Sequence, residues 1–136
     1  MNGEDIVALD AVALSGAIRA RELSCAEVMR AYLARIDRLN PQFNAIVSLQ
    51  PRHRLLAQAD ERDAQLARGQ WLGSMHGMPL AIKDLALTAG ITTTFGSPIY
   101  AEFVPELDSL VVERMRMCGA ILIGKTNVPE FGLGSQ

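Results

Sequence analysis

The chain has 136 residues, of which 49% are apolar and 21% charged, proportions typical of one globular domain. Aromatic residues make up only 5% and the net charge is −2, so direct nucleic-acid binding is excluded for want of stacking surfaces and a basic field. From the acidic start MNGEDIVALD we expect no signal peptide, and no apolar run has membrane-spanning length. We therefore predict a cytoplasmic protein without membrane contacts.

The first 70 residues are predicted to be mainly helical. Apolar residues from Ile6 to Ile18 recur at helical spacing and predict one or two short amphipathic helices. A longer helix begins after Ser24, which forms a capping box with Glu27. We expect this helix to end at Asn40-Pro41, because the residue before a proline is disfavoured in the helical region. Its apolar face comprises Val28, Tyr32, Leu33 and Ile36.

A short strand and a surface helix are predicted to follow. The segment FNAIVSL, residues 43–49, alternates between apolar and polar residues and predicts the strand. Residues 51–68 are rich in alanine, glutamine and charged side chains, and they predict a helix that ends at Gly69.

The composition changes at Trp71, where glycine, proline and threonine become frequent. Pro79 opens a short strand, Leu80–Ile82, that leads into Lys83, and residues 91–98 are predicted to form a loop. Residues 71–136 are therefore expected to contain the start of a sheet.

A helix and a buried strand are predicted next. The helix covers residues 107–118, with Asp108 as its cap and Gly119 as its stop. The apolar run AILIG, residues 120–124, predicts a strand buried on both faces, and a glycine-rich loop follows it. This alternation of helix and strand predicts an α/β fold. The buried stripe of the helix is expected to comprise Leu110, Val111, Met115 and Cys118.

Cys25 and Cys118 are the two cysteines of the chain. Neither has a second cysteine or a histidine at ligand spacing, so we predict no metal site and no cofactor. Each lies in an apolar helical pattern, which predicts a buried thiol and suits a reducing compartment.

The segment GAILIGKT, residues 119–126, matches the letters of a phosphate-binding P-loop, G-x-x-x-x-G-K-[ST]. A P-loop needs its four middle residues in a loop around phosphate, whereas here those residues form the best strand of the chain. It also needs a following helix, whereas Asn127, Pro129 and Gly132 are poor helix formers. A nucleotide-binding domain is therefore the less favoured alternative.

Lys83 carries the strongest chemical signal. It follows the apolar residues Leu80–Ile82 and precedes Asp84, so we expect partial desolvation, which disfavours the ammonium form and lowers the pKa. A neutral amine can accept a proton from a hydroxyl group and act as a general base. The alternative is an exposed lysine at a strand end, with Asp84 as its ion-pair partner or as a cap.

From Trp71 onward the chain resembles the amidase signature family. The matching elements are H-G-M-P-L-A-I-K-D, T-T-T-F-G-S, a D-S-x-x-V helix, G-A-I-L-I-G-K-T-N and N-x-P-E-F, in that order. The resemblance implies the amino-terminal portion of a three-layer α/β/α fold with a mixed sheet. Residues 1–136 would then be the first part of a single amidase domain that hydrolyses carbon–nitrogen amide bonds.

The family uses a serine, a second serine in a cis peptide and a lysine, and the resemblance assigns this lysine to Lys83. Lys83 would serve as general base for a serine pair farther downstream, because no G-G-S-S-G-G-type element is present here. We therefore expect these residues alone to be inactive. The loop after N-x-P-E-F lies beside the substrate cleft in this family, which makes Gly132, Gly134 and Ser135 candidates for substrate binding, with an ordinary turn as the alternative.

The resemblance leaves the substrate and the partners open. The substrate would be a small aliphatic or aryl amide, or glutamine that supplies ammonia for transamidation on transfer RNA, as in the amidotransferase A subunits of the family. The corresponding partners would be a second copy of the chain or other amidotransferase subunits.

Several polar residues are further candidates near Lys83. Lys125 could reach the cleft, although a surface position is the preferred interpretation. His76, in the H-G-M-P turn, is expected to make structural hydrogen bonds, and His53 is expected to lie on a solvated helix face. The hydroxyl residues expected to hydrogen-bond the Lys83 amine and fix its rotamer are Thr92, Thr93, Thr94 and Ser97.

Overall fold

The computed structural model describes residues 2–134. The helices and strands of this part of the chain are α1 (Gly3–Ala8), α2 (Ala11–Arg19), α3 (Cys25–Phe43), α4 (Arg52–Ala67), β1 (Pro79–Lys83), α5 (Leu110–Met117) and β2 (Ile121–Thr126). Single turns of 3-10 helix lie at Pro98–Tyr100 and Glu130–Gly132. None of the helices within residues 2–134 combines the length and the apolar character needed to cross a membrane.

Side-chain caps set the beginnings of the first three helices. Asn2 and Asp5 form a reciprocal capping box at α1, and Asp10 caps α2. At α3 the Glu27 N–H donates to Ser24 Oγ at 3.1 Å, while the Ser24 N–H donates to Glu27 Oε2 at 2.9 Å. The predicted capping box and the two short amphipathic helices are therefore confirmed.

The end of α3 differs from the prediction at Asn40-Pro41. The helix continues through Pro41 to Phe43 and ends at Asn44 in the left-handed conformation, with φ at 46°. Proline removes one N–H donor, and the Asn40 side chain holds the chain beyond it by bonding the N–H and C=O of Ile46 at 2.8 and 2.9 Å. This clamp across the helix end outweighs the local penalty of the proline.

Residues 43–49 do not form the predicted strand. Residue 43 belongs to α3, and the extended chain after it makes an isolated antiparallel bridge between Ile46 and Thr126. Farther along, the Val47 N–H donates to the Lys125 C=O at 2.9 Å without extending the ladder. The segment therefore borders β2 as irregular chain, because a strand needs consecutive ladder bonds.

β1 and β2 are neighbouring parallel strands, which confirms the predicted α/β class. Ile82 pairs with Lys125, and Lys83 pairs with Thr126. The last residues of both strands therefore lie side by side at the carboxyl edge of the sheet.

β2 separates two apolar clusters, as predicted for a strand buried on both faces. Ile121 and Ile123 belong to the larger cluster with residues of α1 to α4. Leu122 lies in the second cluster, with Ile82 of β1 and Val112 of α5. Because successive side chains of a strand point to opposite faces, helices cover β2 on both sides.

α5 begins three residues later than predicted. Its N-cap residue is Ser109, because the Asp108 carboxylate is used elsewhere. Asp108 accepts hydrogen bonds from the Ala89 N–H at 2.7 Å and from Arg116 Nε at 2.8 Å. The predicted cap is therefore wrong, and Asp108 instead links α5 to the loop after β1.

The predicted buried stripe of α5 is wrong at three of its four positions and confirmed at Met115. Val112 is fully buried and Met115 is half-buried, so the helix contacts the sheet through this one row. The predicted stripe residues that are exposed are Leu110, Val111 and Cys118. The prediction of a buried thiol is thus confirmed for Cys25 and wrong for Cys118, which lies at the exposed C-cap of α5.

Two glycine-to-alanine changes are expected to have opposite effects on stability, because backbone lies close to Gly124 of β2 whereas Gly16 of α2 has open space beside it. At Gly124 an added Cβ would lie 2.3 Å from the Ser48 carbonyl oxygen, so Gly124→Ala is expected to destabilise the chain by about 1–3 kcal/mol. At Gly16, inside α2, an added Cβ meets no atom within 4 Å, so Gly16→Ala is expected to stabilise by about 0.5–1 kcal/mol. The free energy of unfolding of each variant, measured in urea, tests this prediction. Equal changes for the two variants would contradict the close contact at Gly124.

The two cysteines predict a contrast in thiol reactivity and a loss of stability in alkali. Burial, and then the nearby Asp63 carboxylate, raises the pKa of Cys25 from 9.0 to about 12. The folded state keeps its thiol proton while the unfolded chain loses it, so the free energy of unfolding should fall as pH rises between about 9 and 12. Below pH 9 this contribution is fully present.

Cys25→Ala should remove that alkaline slope, and Cys118→Ser is the matched control that should retain it. In the native chain a thiol reagent should modify Cys118 quickly and Cys25 slowly. Rapid modification of both thiols, measured by mass spectrometry, would contradict the burial of Cys25.

Candidate active site at the carboxyl edge of the sheet

Lys83 is the last residue of β1 and lies beside Thr126, the last residue of β2. Ligand sites of open α/β sheets occur beyond the carboxyl ends of parallel strands, so this edge is the natural location for chemistry. The Lys83 side chain is exposed, and the apolar strand before it does not enclose the amine. The desolvation expected from the sequence is therefore not provided by residues 2–134.

The loop after β2 lies against the loop after β1. The Phe131 N–H donates to the Phe95 C=O at 2.7 Å. Gly132 has a positive φ of 71°, and a Cβ at this position would lie 2.6 Å from a Leu85 methyl group. This contact places Gly132 against a residue two positions from Lys83. Gly134 also has a positive φ, of 96°, but lies in open space.

Ser135, the third predicted substrate-binding residue, lies outside the described residues. The arrangement thus brings Gly132 towards the loop that follows Lys83 and leaves Gly134 exposed.

Lys125 is fully buried, so the preferred interpretation of a surface lysine is wrong. Its Nζ donates to the Ala86 C=O at 2.6 Å and to Thr93 Oγ1 at 2.9 Å, and lies 3.5 Å from Asp84 Oδ1. These three acceptors match the three N–H groups of an ammonium. Desolvation lowers the pKa of Lys125, and the Asp84 carboxylate opposes that shift.

Asp84 is the partner of Lys125 and not of its neighbour Lys83. Its carboxylate is 1% exposed and accepts hydrogen bonds from both the N–H and the hydroxyl of Thr94. Its own N–H donates to the Thr126 C=O at 3.2 Å, which extends the pairing of the two strands by one residue. Asp84 therefore fixes the chain immediately after Lys83.

The hydroxyl groups near Lys83 serve other partners. Thr93 bonds Lys125, Thr94 bonds Asp84, and the Ser97 hydroxyl donates to Glu130 Oε1 at 2.7 Å. Among residues 2–134 no hydroxyl group hydrogen-bonds the Lys83 amine, so the predicted role of Thr92, Thr93, Thr94 and Ser97 is wrong for these residues as folded.

His76 has the structural role predicted for it. It is fully buried, its Nδ1 accepts from the Leu72 N–H at 3.3 Å, and its Nε2 bonds the Arg62 C=O at 2.9 Å. Its ring also stacks on Trp71 with a centroid distance of 5.1 Å. Both ring nitrogens are engaged, so His76 holds its turn. His53 is exposed on α4, as predicted.

The P-loop alternative is incompatible with the backbone. The middle of the segment GAILIGKT is strand β2, and its lysine is enclosed by protein acceptors. The chain after β2 makes one irregular 3-10 turn where a P-loop would require a helix. The same described residues contain no group of three metal-ligating side chains.

The burial of Lys125 was missed although the sequence contained a signal for it. AILIG was predicted to be buried on both faces, and Lys125 directly follows it in the same strand. Extending the buried strand by one residue would have placed the ammonium in the interior, where it needs a carboxylate and polar acceptors. The sequence could not name the acceptors, because they lie 32 to 41 positions earlier, on the loop after β1.

Sequence comparison identifies related proteins. The sequence model of the family described as Amidase matches residues 27–136. The A subunit of glutamyl-tRNA(Gln) amidotransferase from Acidothermus cellulolyticus is 42% identical over 132 residues, and that from Bdellovibrio bacteriovorus is 40% identical over 123 residues. The alignments cover 97% and 90% of this chain but only 26% and 25% of the relatives. The chain thus spans about a quarter of the length of these relatives.

Solved structures share the same fold. The peptide amidase from Stenotrophomonas maltophilia aligns with a TM-score of 0.82 and 36% identity over 91% of this chain and 26% of its own. Fatty acid amide hydrolase aligns with a TM-score of 0.85 and 29% identity over 93% of this chain and 22% of its own. The fold described above therefore corresponds to one part of these enzymes.

The different burial of the two lysines predicts different stabilities for two matched substitutions. Lys125→Met leaves the Asp84 carboxylate buried without its cation and should destabilise the chain by about 3–5 kcal/mol. Lys83→Met removes an exposed amine and should leave the urea midpoint nearly unchanged. Equal midpoints for the two variants would contradict the burial of Lys125.

Proposed function

Because the chain belongs to the amidase family, we propose that its residues contribute to the hydrolysis of carbon–nitrogen amide bonds. The observation that carries the proposal is the position of Lys83, an exposed amine at the end of β1, within the I-K-D element of a chain 42% identical to an amidotransferase component. Residues 1–136 would form the first part of one amidase domain, with a mainly helical part over 1–70 and the start of the α/β core over 71–136.

In the proposed reaction Lys83 acts as a general base. Its uncharged amine takes a proton from one serine hydroxyl, which in turn takes the proton of a second serine, and the second serine attacks the amide carbonyl. The proton returns to the leaving nitrogen as the carbon–nitrogen bond breaks, and water then releases the acid from the acyl serine. Both serines would come from polypeptide outside these 136 residues.

Covering of the sheet edge by that further polypeptide would supply the desolvation that a basic amine requires. The exposed position of Lys83 is compatible with such a role, because an amine already enclosed by its own loop could not meet a serine.

The loop after β2 is proposed to line the substrate cleft. The contact between Gly132 and Leu85 supports this proposal, because it brings the loop to the same edge as Lys83. Gly134 and Ser135 would continue the lining, with the positive φ of Gly134 permitting a turn that other residues adopt with strain.

Glutamine is the second candidate substrate. Identity to the amidotransferase A subunits reaches 44%, against 36% to the peptide amidase, and this difference favours a chain that works with other amidotransferase subunits. Such a chain would work in the cytoplasm. A small amide handled by a single copy or a homodimer is the alternative. Neither candidate assigns direct nucleic-acid contacts to this chain, whose net charge is −2.

Amide hydrolysis can be tested by fusion, since the chain matches about a quarter of its relatives. A fusion in which this chain replaces the matching quarter of the Stenotrophomonas peptide amidase should release ammonia from a peptide amide, whereas the chain alone should not. Lys83→Met in the fusion should lower the rate by about 10²–10⁴-fold, the contribution of a general base.

Arg54→Met, which removes another exposed cation, is the matched control and should retain the rate. A Lys83→Met fusion with an unchanged rate would contradict the role of Lys83. The same exchange in the Acidothermus amidotransferase, assayed with glutamine and its other subunits, tests the second candidate.

A further inference from the structure

Lys83 and Lys125 are the two lysines of the chain, and they occupy neighbouring strand ends with opposite exposure. Lys125 pairs across the sheet with Ile82, so the two lysines stand one position out of register. Lys83 is exposed, whereas Lys125 has no exposed surface. The proposed reaction uses Lys83 and leaves the buried cation without a role.

All three acceptors of the Lys125 ammonium lie on the loop that leaves β1. Ala86 supplies a carbonyl oxygen at 2.6 Å, Thr93 a hydroxyl oxygen at 2.9 Å and Asp84 a carboxylate oxygen at 3.5 Å. Lys125 itself belongs to β2. The side chain therefore ties the loop after Lys83 to the neighbouring strand at three points.

The connection between this loop and β2 begins at Asp84, one residue after Lys83. The Asp84 N–H bonds the Thr126 C=O, and its carboxylate bonds both Lys125 and Thr94. The main chain and the side chain of Asp84 are thus both fixed. The backbone at Lys83 is therefore held by β1 before the Lys83 Cα and by Asp84 after it.

We propose that the Lys125–Asp84 pair is a positioning element that fixes the direction in which the Lys83 side chain leaves the sheet edge. The inference rests on the proposed function of Lys83 as base. Lys125 is a positioning residue and not a second base, because its amine is enclosed by two hydrogen-bond acceptors and the Asp84 carboxylate.

A purely stabilising role explains the pair less well. Replacing a buried ion pair by apolar side chains of similar volume is often neutral or stabilising, so burial of charge is a poor route to stability alone. The pair does fix the course of the chain after Lys83, because the ammonium and the carboxylate have to meet in one arrangement. It also occupies the Asp84 carboxylate, which would otherwise be the nearest anion along the chain to the Lys83 amine.

The test uses the whole 136-residue chain and needs no catalysis. Reductive methylation with ¹³C-formaldehyde under native conditions should label Lys83 and the N-terminus, with Lys125 slower by about tenfold or more because it reacts only through local opening. The ¹³C signal of methylated Lys83 then reports the surroundings of its amine. In the native chain we expect one sharp signal, distinct from that of the unfolded chain.

The decisive variant is the double substitution Lys125→Met with Asp84→Leu, which removes the pair without leaving a lone buried charge. We expect the double variant to remain folded with a lower urea midpoint, because the Thr94 N–H and hydroxyl lose their acceptor, and we expect the Lys83 signal to move to its unfolded-chain position. Asp108→Asn is the matched control: it breaks the ion pair between Asp108, on the same loop, and Arg116 of α5, and should leave the Lys83 signal unchanged. A folded double variant with the native Lys83 signal would overturn the proposal.

If the double variant does not fold, Thr93→Val tests the positioning role instead. It removes one acceptor of Lys125 while nearly preserving the volume, so labelling of Lys125 should accelerate and the Lys83 signal should shift part of the way. Accelerated labelling of Lys125 with an unchanged Lys83 signal would overturn the positioning role. Loss of amide hydrolysis in the fusion would instead contradict the proposed function, and these signals do not depend on that result.

Discussion

The course of the loop after β1 depends on one cation held inside the protein. Transfer of the Lys125 ammonium out of water costs several kcal/mol, and this cost is offset only where acceptors surround the charge. The carbonyl of Ala86, the hydroxyl of Thr93 and the carboxylate of Asp84 meet that need. The loop after β1 therefore has little freedom, because any other course would leave the buried cation unsatisfied.

The surroundings of β2 explain why the cation is buried at all. Apolar clusters cover both faces of the strand, β1 pairs along one edge, and residues 46–50 border the other. Gly124 permits this last contact, since any side chain there would collide with the Ser48 carbonyl. Because both faces and both edges of β2 are covered, the side chain of the next residue in the strand, Lys125, lies in the protein interior.

Local signals in the sequence were sufficient wherever the deciding atoms are close along the chain. The Ser24–Glu27 capping box and the strand before Lys83 are cases of this kind. The end of α3 was missed because the Asn40 clamp on Ile46 overrides the proline preference. The exposed stripe of α5 and the buried Lys125 were missed because packing partners distant in sequence decide which side of an element faces the core.

In the proposed reaction the two lysines at one sheet edge have different roles, catalysis for Lys83 and support for Lys125. A base must be reachable by the group it deprotonates, and Lys83 meets this condition because its amine is exposed. A support must be unreachable, and Lys125 meets that condition. Lys83 is the last residue of β1, so a hydroxyl partner can approach its exposed amine from beyond the carboxyl ends of the strands. The loop carrying Gly132 lies at this edge, so in the proposed reaction substrate, hydroxyl and amine would meet beside the segment that the buried pair holds in place.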